Sequence, residues 1–387
     1  MTSRDELKEL SFDVLKVRAR AFAANGKHLK AAVAYELAAR LKPESDASLF
    51  QAIQLKHAGE IEQSATVYKA FLRSKPDHFD GWCSYGVTMK QNQKFDEAVQ
   101  AFERALELKE DPAARNAFVT SLWRTGQHER ATQEGMVNLK LKDKIAFEKF
   151  ASSPFNGLAL KDRRPQFDPS RTKRNIISFS LWGDDPTYVT GAIVNAQIAP
   201  HIYVGWTARF YCDETVPADA RAELEKHGAQ VIILQDPELK KIRPMWRFLV
   251  SDDPDTDFFV CRDADSRLNV QEFLAVDEWI RSGKRFHVMR DHIYHMELIL
   301  AGMWGGVSGV LPNMRETLGS ATDYFENRFG DQAFLMDVVW PLVKSELCTH
   351  DSVYGFPNGG DFPGEYRLPG MIHVGGAIKS MKHWRAV

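Results

Sequence analysis

Small and aromatic residues recur along the first part of the chain at a helical spacing. Ala31, Ser64, Ala98 and Ala131 stand 33, 34 and 33 residues apart, and four positions after each come Tyr35, Tyr68, Phe102 and Gly135. Three positions further on are Ala38, Phe71 and Ala105, and two units close on Pro43 and Pro76. A turn precedes each small residue: NGK at 25–27, AGE at 58–60, QNQK at 91–94 and TGQ at 125–127. Residues four and seven apart share one helix face. A period in this range therefore predicts stacked helical hairpins, none of which buries its apolar face alone. Residues 146–172 carry Pro, Gly and basic residues without a clear period, as a linker does. After them the rhythm changes. NIISFSL (175–181), WTARFYC (206–212), AQVIILQ (229–235), DFFVCR (257–262) and RFHVMRD (285–291) are apolar runs that predict buried strands. Between them TYVTGAIVNAQIA (187–199), PADARAELEKHG (217–228) and VQEFLAVDEWIRSG (270–283) predict helices. This alternation implies βαβ units and a mainly parallel α/β sheet. Ligands of such sheets bind beyond the carboxyl ends of the strands.

The third helical unit opens on Trp82, Tyr85 and Gly86 and continues with Ala98, Phe102 and Ala105. It resembles the tetratricopeptide repeat, and the resemblance spans roughly residues 12–145 as four units. The first, second and fourth lack the Trp and Gly. The resemblance implies an α-solenoid over 1–150 whose groove holds a protein partner; bracing or dimerising the second domain is the plainer role. Residues 151–173 then form the linker and 174–387 the second domain.

Composition narrows the field. The 387 residues contain 44% hydrophobic and 26% charged residues, as folded globular chains do. With 50 Lys plus Arg against 52 Asp plus Glu, there is no basic excess to suit a nucleic acid. The four cysteines, Cys83, Cys212, Cys261 and Cys348, lie far apart with no CxxC pair, which suits reduced thiols rather than disulfides or a zinc site. The first residues, MTSRDELKEL, lack the apolar stretch of a signal peptide, and no run of about 18 apolar residues predicts a membrane span. A cytoplasmic protein is the expectation.

Two motifs carry chemistry. CRDADSR (261–267) directly follows an apolar strand. Aspartates two apart on a strand-end loop can both reach one hard cation, Mg²⁺ or Mn²⁺, whose other sites are filled by water and phosphate oxygens. Alone, the pair fits helix capping as well. MIHVGGAIKSMKHW (371–384) holds His373, Gly376 and Lys379 in the order HxxGxxK. An imidazole can complete a metal shell, a glycine admits a diphosphate to the backbone, and a lysine gives it a charge; a surface loop with an incidental histidine is the plain alternative. His292, His295 and Glu297 have a spacing that zinc accepts, but no second cluster stands nearby in sequence. Trp304, in the glycine-rich LAGMWGGVSG (300–309), could stack on a sugar; His350 and Asp351 in THDSVYG (349–355) equally read as a capping turn. No GxGxxG or GxxxxGK[ST] cradle is present for a nicotinamide or P-loop nucleotide.

An apolar strand with DxD, then HxxGxxK about 110 residues later, resembles the GT-A glycosyltransferases over about 174–384. The closest likeness is to the retaining family of glycogenin and the bacterial lipopolysaccharide galactosyltransferases. DDPTYVTGAIVNAQ (184–197), KIRPMWRFLVSD (241–252) and GDQAFLMDVV (330–339) occupy the places of that family's nucleotide-pocket helix, basic segment and Asp-Gln motif. The resemblance implies a Mn²⁺ or Mg²⁺ bound by Asp263, Asp265 and His373, a nucleotide sugar (UDP first) and a protein or glycan acceptor. It implies that Gly376 and Lys379 contact the diphosphate, Tyr188 the nucleoside, and Asp331 and Gln332 the donor sugar. Arg247, or Arg243, takes the basic position. Asp291 and His292 end a strand, and either face the sugar or read as polar loop or satisfied core residues. Two departures stand out: KSMKHW replaces the family's KPW, and RDHIYHMELILAGMWGG (290–306) is not a close match. The alternative to an enzyme is a scaffold, repeats joined to a degenerate transferase-like domain; keeping both motifs together speaks against it.

Overall fold

The computed structural model describes residues 7, 10–325, 329–370 and 372–386. They divide into two compact units, Met1–Asn138 and Leu139–Val387.

The first unit is helical. Antiparallel pairs are formed by α1 (Phe12–Ala24) with α2 (His28–Leu41), α3 (Ala47–His57) with α4 (Ile61–Ser74), and α5 (Phe79–Gln91) with α6 (Phe95–Leu108). α7 (Pro112–Arg124) leads into α8 (His128–Ser152). The recurring small residues Ala31, Ser64, Ala98 and Ala131 are all fully buried, as are Tyr68 and Phe102. They mark where helices approach most closely: a Cβ on Gly86 would lie 2.9 Å from the Phe102 ring. Each buried large side chain contributes on the order of 2 kcal/mol of apolar burial. The hairpin turns share one device, a residue with left-handed backbone: Gly26 (φ 68°), Gly59 (φ 86°) and Gly126 (φ 78°). The third hairpin places Gln93 there instead (φ 60°).

The second unit is a mixed α/β domain. Its strands are β1 (Asn175–Leu181), β2 (Thr207–Cys212), β3 (Gln230–Ile233), β4 (Phe258–Cys261), β5 (Phe286–Arg290), β6 (Trp304–Val307) and β7 (Leu347–Asp351). They lie in the order β3-β2-β1-β4-β6-β5-β7, parallel except for β6. Every residue of β1 is buried, which explains its mainly apolar run; its serines, Ser178 and Ser180, are satisfied by the Arg247 backbone. Helices α9 (Pro186–Ile202), α10 (Ala218–Lys226) and α11 (Val270–Ser282) fall where the pattern predicts them, and α11 ends on Gly283 in a left-handed cap. The chain winds outward from β1 through β2 to β3, then returns to lay β4 on the other side of β1. The β1–β4 junction is therefore the point where the winding reverses.

The fold bears on three readings. Trp304 is not a sugar platform: it is 1% exposed within β6 and packs against Phe248 and Phe259. The glycines beside it serve strand pairing, since a Cβ on Gly305 would overlap the Phe259 carbonyl and one on Gly306 the Phe286 ring. His350 lies in β7 and is hydrogen-bonded to buried His287 at 2.8 Å, while Asp351 accepts from the backbone N–H groups of Val353 and Tyr354 as a turn anchor. The stretch expected as a linker is tied to the domain: Lys161 N–H donates to the Val310 carbonyl at 2.7 Å, and Arg163 pairs with Asp257 at 2.7 Å. Among the described residues no helix is long and apolar enough to cross a membrane.

A non-glycine residue in the left-handed region costs about 1 kcal/mol, partly offset by the greater unfolded-state freedom of glycine. Gln93→Gly is expected to stabilise the chain by up to about 1 kcal/mol, read as an increased urea midpoint with unchanged slope.

Candidate functional site

The site begins with the backbone of Arg247, in the 3₁₀ segment Leu239–Asp252. Its N–H donates to Ser180 Oγ (2.9 Å), and its carbonyl accepts from Ser178 Oγ (2.7 Å), both on β1. The side chain, 5% exposed, points to the carboxyl end of β4. There Nη1 donates to Asp263 Oδ1 (2.6 Å) and Nη2 to Asp331 Oδ2 (3.1 Å). Burial opposes the guanidinium charge, but the two carboxylates outweigh it and raise the pKa.

The DAD loop is held from several sides. A Cβ on Gly302 would overlap the Asp263 carboxylate, and one on Gly191 of α9 would overlap the Ala264 carbonyl. Behind the loop, fully buried Arg262 bonds Glu272 (3.3 Å) and the Tyr203 hydroxyl (3.0 Å). The carboxyl of Asp265 is pushed above the usual range by burial and then by the Asp263 charge. Asp331 is likewise pushed up by burial, with Arg247 opposing and Asp263 adding. A small cleft of about 50 Å³ opens here, lined by Ser180, Leu181, Trp182, Tyr188, Arg247, Asp263, Ala264 and Asp265. It lies at the β1–β4 reversal, where open α/β sheets place ligands. Gln332 Oε1, next to Asp331, is buried without a hydrogen-bond partner.

The carboxyl-terminal strap crosses the same loop. Ile378 N–H donates to the Asp265 carbonyl (2.8 Å), and Ala377 bridges Ser266. The Lys379 carbonyl accepts from Thr187 Oγ1 (3.3 Å) and the Lys382 carbonyl from Thr190 Oγ1 (2.8 Å), both hydroxyls on α9. Lys379 itself is exposed. Gly376 N–H closes a turn onto the His373 carbonyl (3.0 Å).

His373 differs from its expected place in the metal shell. Its ring stacks on His292 (4.4 Å between centroids) and stands edge-on to His295 (4.8 Å). Among the described residues no group of three His, Cys, Asp or Glu side chains is arranged to hold a metal ion, which covers both the Asp263–Asp265–His373 set and the His292–His295–Glu297 spacing. Burial lowers the pKa of His292 and of His295. Asp291 braces rather than faces a pocket: it accepts from Gln271 Nε2 (3.0 Å), the Val374 N–H (2.9 Å) and Ser352 Oγ (2.9 Å). Arg243 is held by Asp213 through Nε (3.0 Å) and Nη2 (2.9 Å), leaving Arg247 as the basic group beside the aspartates. Trp182, 38% exposed at the cleft mouth, was missed; an aromatic residue immediately after the first strand is the signal that marks it.

Comparison with known proteins places the first unit. Residues 51–115 match the family model of the tetratricopeptide repeat. This stretch is tetratricopeptide repeat. Among solved structures the chain is similar to MamA, from residue 41 to the end, of Desulfovibrio magneticus RS-1, with 17% identity and TM-score 0.32 over 36% of this chain and 82% of that one. It is also similar to the Sgt2 TPR domain from Aspergillus fumigatus, with 20% identity and TM-score 0.29 over 31% of this chain and 82% of that one. No curated protein matches the chain. The tetratricopeptide repeats thus lie ahead of an α/β domain that carries the acidic cleft.

The raised carboxyl of Asp265 sets a sign for stability. A group whose folded pKa exceeds its unfolded one costs stability when ionised, above the folded pKa, and none below the unfolded value. Asp265→Asn is therefore expected to melt at a higher temperature than the wild type at pH 7, with the gap closing as pH falls through the carboxylate range. Thermal melts at pH 7 and pH 3 check it.

Proposed function

We propose that the α/β domain is a metal-dependent glycosyltransferase that moves a sugar from a nucleotide diphosphate sugar, UDP first, to a protein or glycan acceptor. The observation that carries this reading is the cleft at the β1–β4 reversal, where Arg247, Asp263 and Asp265 meet Tyr188 and where Arg247 also holds Asp331. Two carboxylates two apart on one strand-end loop are a donor set that a hard cation favours. Mg²⁺ and Mn²⁺ need only one or two carboxylates beside water and phosphate oxygens. Asp263 and Asp265 would hold such an ion, which supplies Lewis-acid neutralisation of the departing diphosphate; His373 is not needed for that set.

The chain's own groups perform the rest. The strap lays Lys379 beside the first turn of α9, where its ammonium adds charge for the diphosphate. Tyr188 and Trp182 flank the cleft as aromatic surfaces for the nucleoside. Arg247 keeps Asp331 at a fixed distance from Asp263, and the unpartnered Gln332 Oε1 is an acceptor for a donor-sugar hydroxyl. In the transfer the bond from the sugar C1 to the diphosphate oxygen breaks, its electron pair leaving with the diphosphate, a bond from C1 to the acceptor hydroxyl oxygen forms, and the hydroxyl's proton passes to the departing diphosphate oxygen. The transition state is oxocarbenium-like, as in glycoside hydrolysis. The glycogenin likeness favours retention at C1. The tetratricopeptide repeats recruit the acceptor or a protein partner, and nothing in the composition calls for a nucleic acid.

Incubation with a panel of UDP- and GDP-sugars tests the reading. Slow donor hydrolysis, abolished by EDTA, restored by Mn²⁺ and lost by more than about tenfold in Asp331→Asn, is expected, with the α-anomer released first from an α-linked donor by NMR. An inverted product would contradict retention, and no turnover of any donor would contradict the reaction.

A further inference from the structure

From Leu139 on, α8 belongs to the second unit. Two adjacent residues on its carboxyl-terminal half, Lys142 and Asp143, grip different segments. Lys142, 3% exposed, donates from Nζ to the Met296 carbonyl (2.7 Å) and to Glu297 Oε1 (2.7 Å). Those residues follow His295 directly, and His292 and His295 pack on His373 at the head of the strap. Asp143 accepts from Trp340 Nε1 through Oδ1 (2.8 Å) and from Lys344 Nζ through Oδ2 (2.7 Å). Trp340 is fully buried on the helical run that starts at Gly330 and carries Asp331 and Gln332. Two turns further along α8, Lys149 reaches Asp337 of the same run (3.1 Å). Burial disfavours the Lys142 charge and Glu297 offsets it. A lysine this enclosed is rare unless its place is specified.

We propose that Lys142 and Asp143 are positioning residues for the transfer reaction, setting the separation between the His292–His295 turn and the Asp331–Gln332 helix. The inference rests on the reading of the preceding subsection. The nucleotide cleft depends on other contacts, those of Arg247 with β1 and of the glycines with the DAD loop. Loss of the grip therefore leaves nucleotide binding alone and misplaces the groups beside the donor sugar. Displacement of such groups by about 1 Å costs up to about a hundredfold in rate.

The test uses the full chain with Asp143→Ala, Asp143→Asn and Lys142→Met, measuring the dissociation constant for UDP with Mn²⁺, the kcat and KM of donor hydrolysis, and the melting temperature. Asp143→Ala is expected to keep the UDP affinity and lose at least about tenfold in kcat. Asp143→Asn, which retains an oxygen acceptor for Trp340 Nε1, is expected to recover most of that loss. Unchanged kcat in both Asp143→Ala and Lys142→Met overturns the proposal, as does a fall in kcat that only tracks lost affinity and a lower melting temperature. If Asp143→Ala does not fold, Lys142→Met carries the same comparison. If the wild type binds no nucleotide, the transferase reading fails separately. Amide exchange then decides the grip: faster exchange over 292–298 in Lys142→Met and over 331–343 in Asp143→Ala supports it, and unchanged exchange in both overturns it.

Discussion

One buried cation organises the second unit's site. Arg247 is fastened by its backbone to two serines of β1 and by its side chain to Asp263 after β4 and Asp331 at the start of a helix. Ionised carboxylates crowded at the rim of a sheet repel one another, and burial adds to that cost. The guanidinium makes the arrangement tolerable, because its planar fork serves two carboxylates at once. Removing it would leave the largely enclosed Asp331 uncompensated beside a half-exposed Asp263, which is the costly way to break such a group. The remaining strain is visible in the raised carboxyls of Asp265 and Asp331.

The surrounding elements preserve that geometry by close packing. Gly191 and Gly302 let α9 and the segment before β6 come against the DAD loop, where any side chain would overlap. The buried Arg262, Glu272 and Tyr203 group fixes the loop from below. Above it, the strap is tied at both ends of its crossing, by Asp291 to Val374 and by Thr190 to the Lys382 carbonyl. Near the end, Arg385 and Trp384 reach Asp219 of α10, whose carboxyl is lowered to about 2 by the Arg385 hydrogen bonds.

Much of this was legible from residue order. Buried parallel strands are mostly apolar on both faces, so β4 stood out as an unbroken run and β1 and β2 as apolar segments with a few polar residues. The repeat was readable because each small residue recurs where two helices touch. The DAD pair was readable because it follows a buried strand. What was hidden depends on partners far along the chain. Nothing local announces that Arg247 will meet Asp331, or that Asp291 will be consumed by Gln271 and Val374. β6 escaped notice because WGGV carries two glycines whose lack of side chain serves neighbouring strands. β7 escaped because LCTHD is polar yet enclosed, its His350 matched by His287. His373 was assigned by motif order to the aspartates, whereas ring stacking places it with His292. The segment 151–173 looked like a linker because its anchors, Asp257 and Val310, lie some hundred residues away.

The most direct measurement is calorimetric titration of UDP, with and without Mn²⁺, into the wild type and Asp265→Ala. Binding that requires Mn²⁺ and disappears in the variant is the expected result. GDP takes the place of UDP if the latter is silent. Failure of both nucleotides to bind in the presence of metal would contradict the nucleotide-sugar site, and leave the repeats as the working part of the chain.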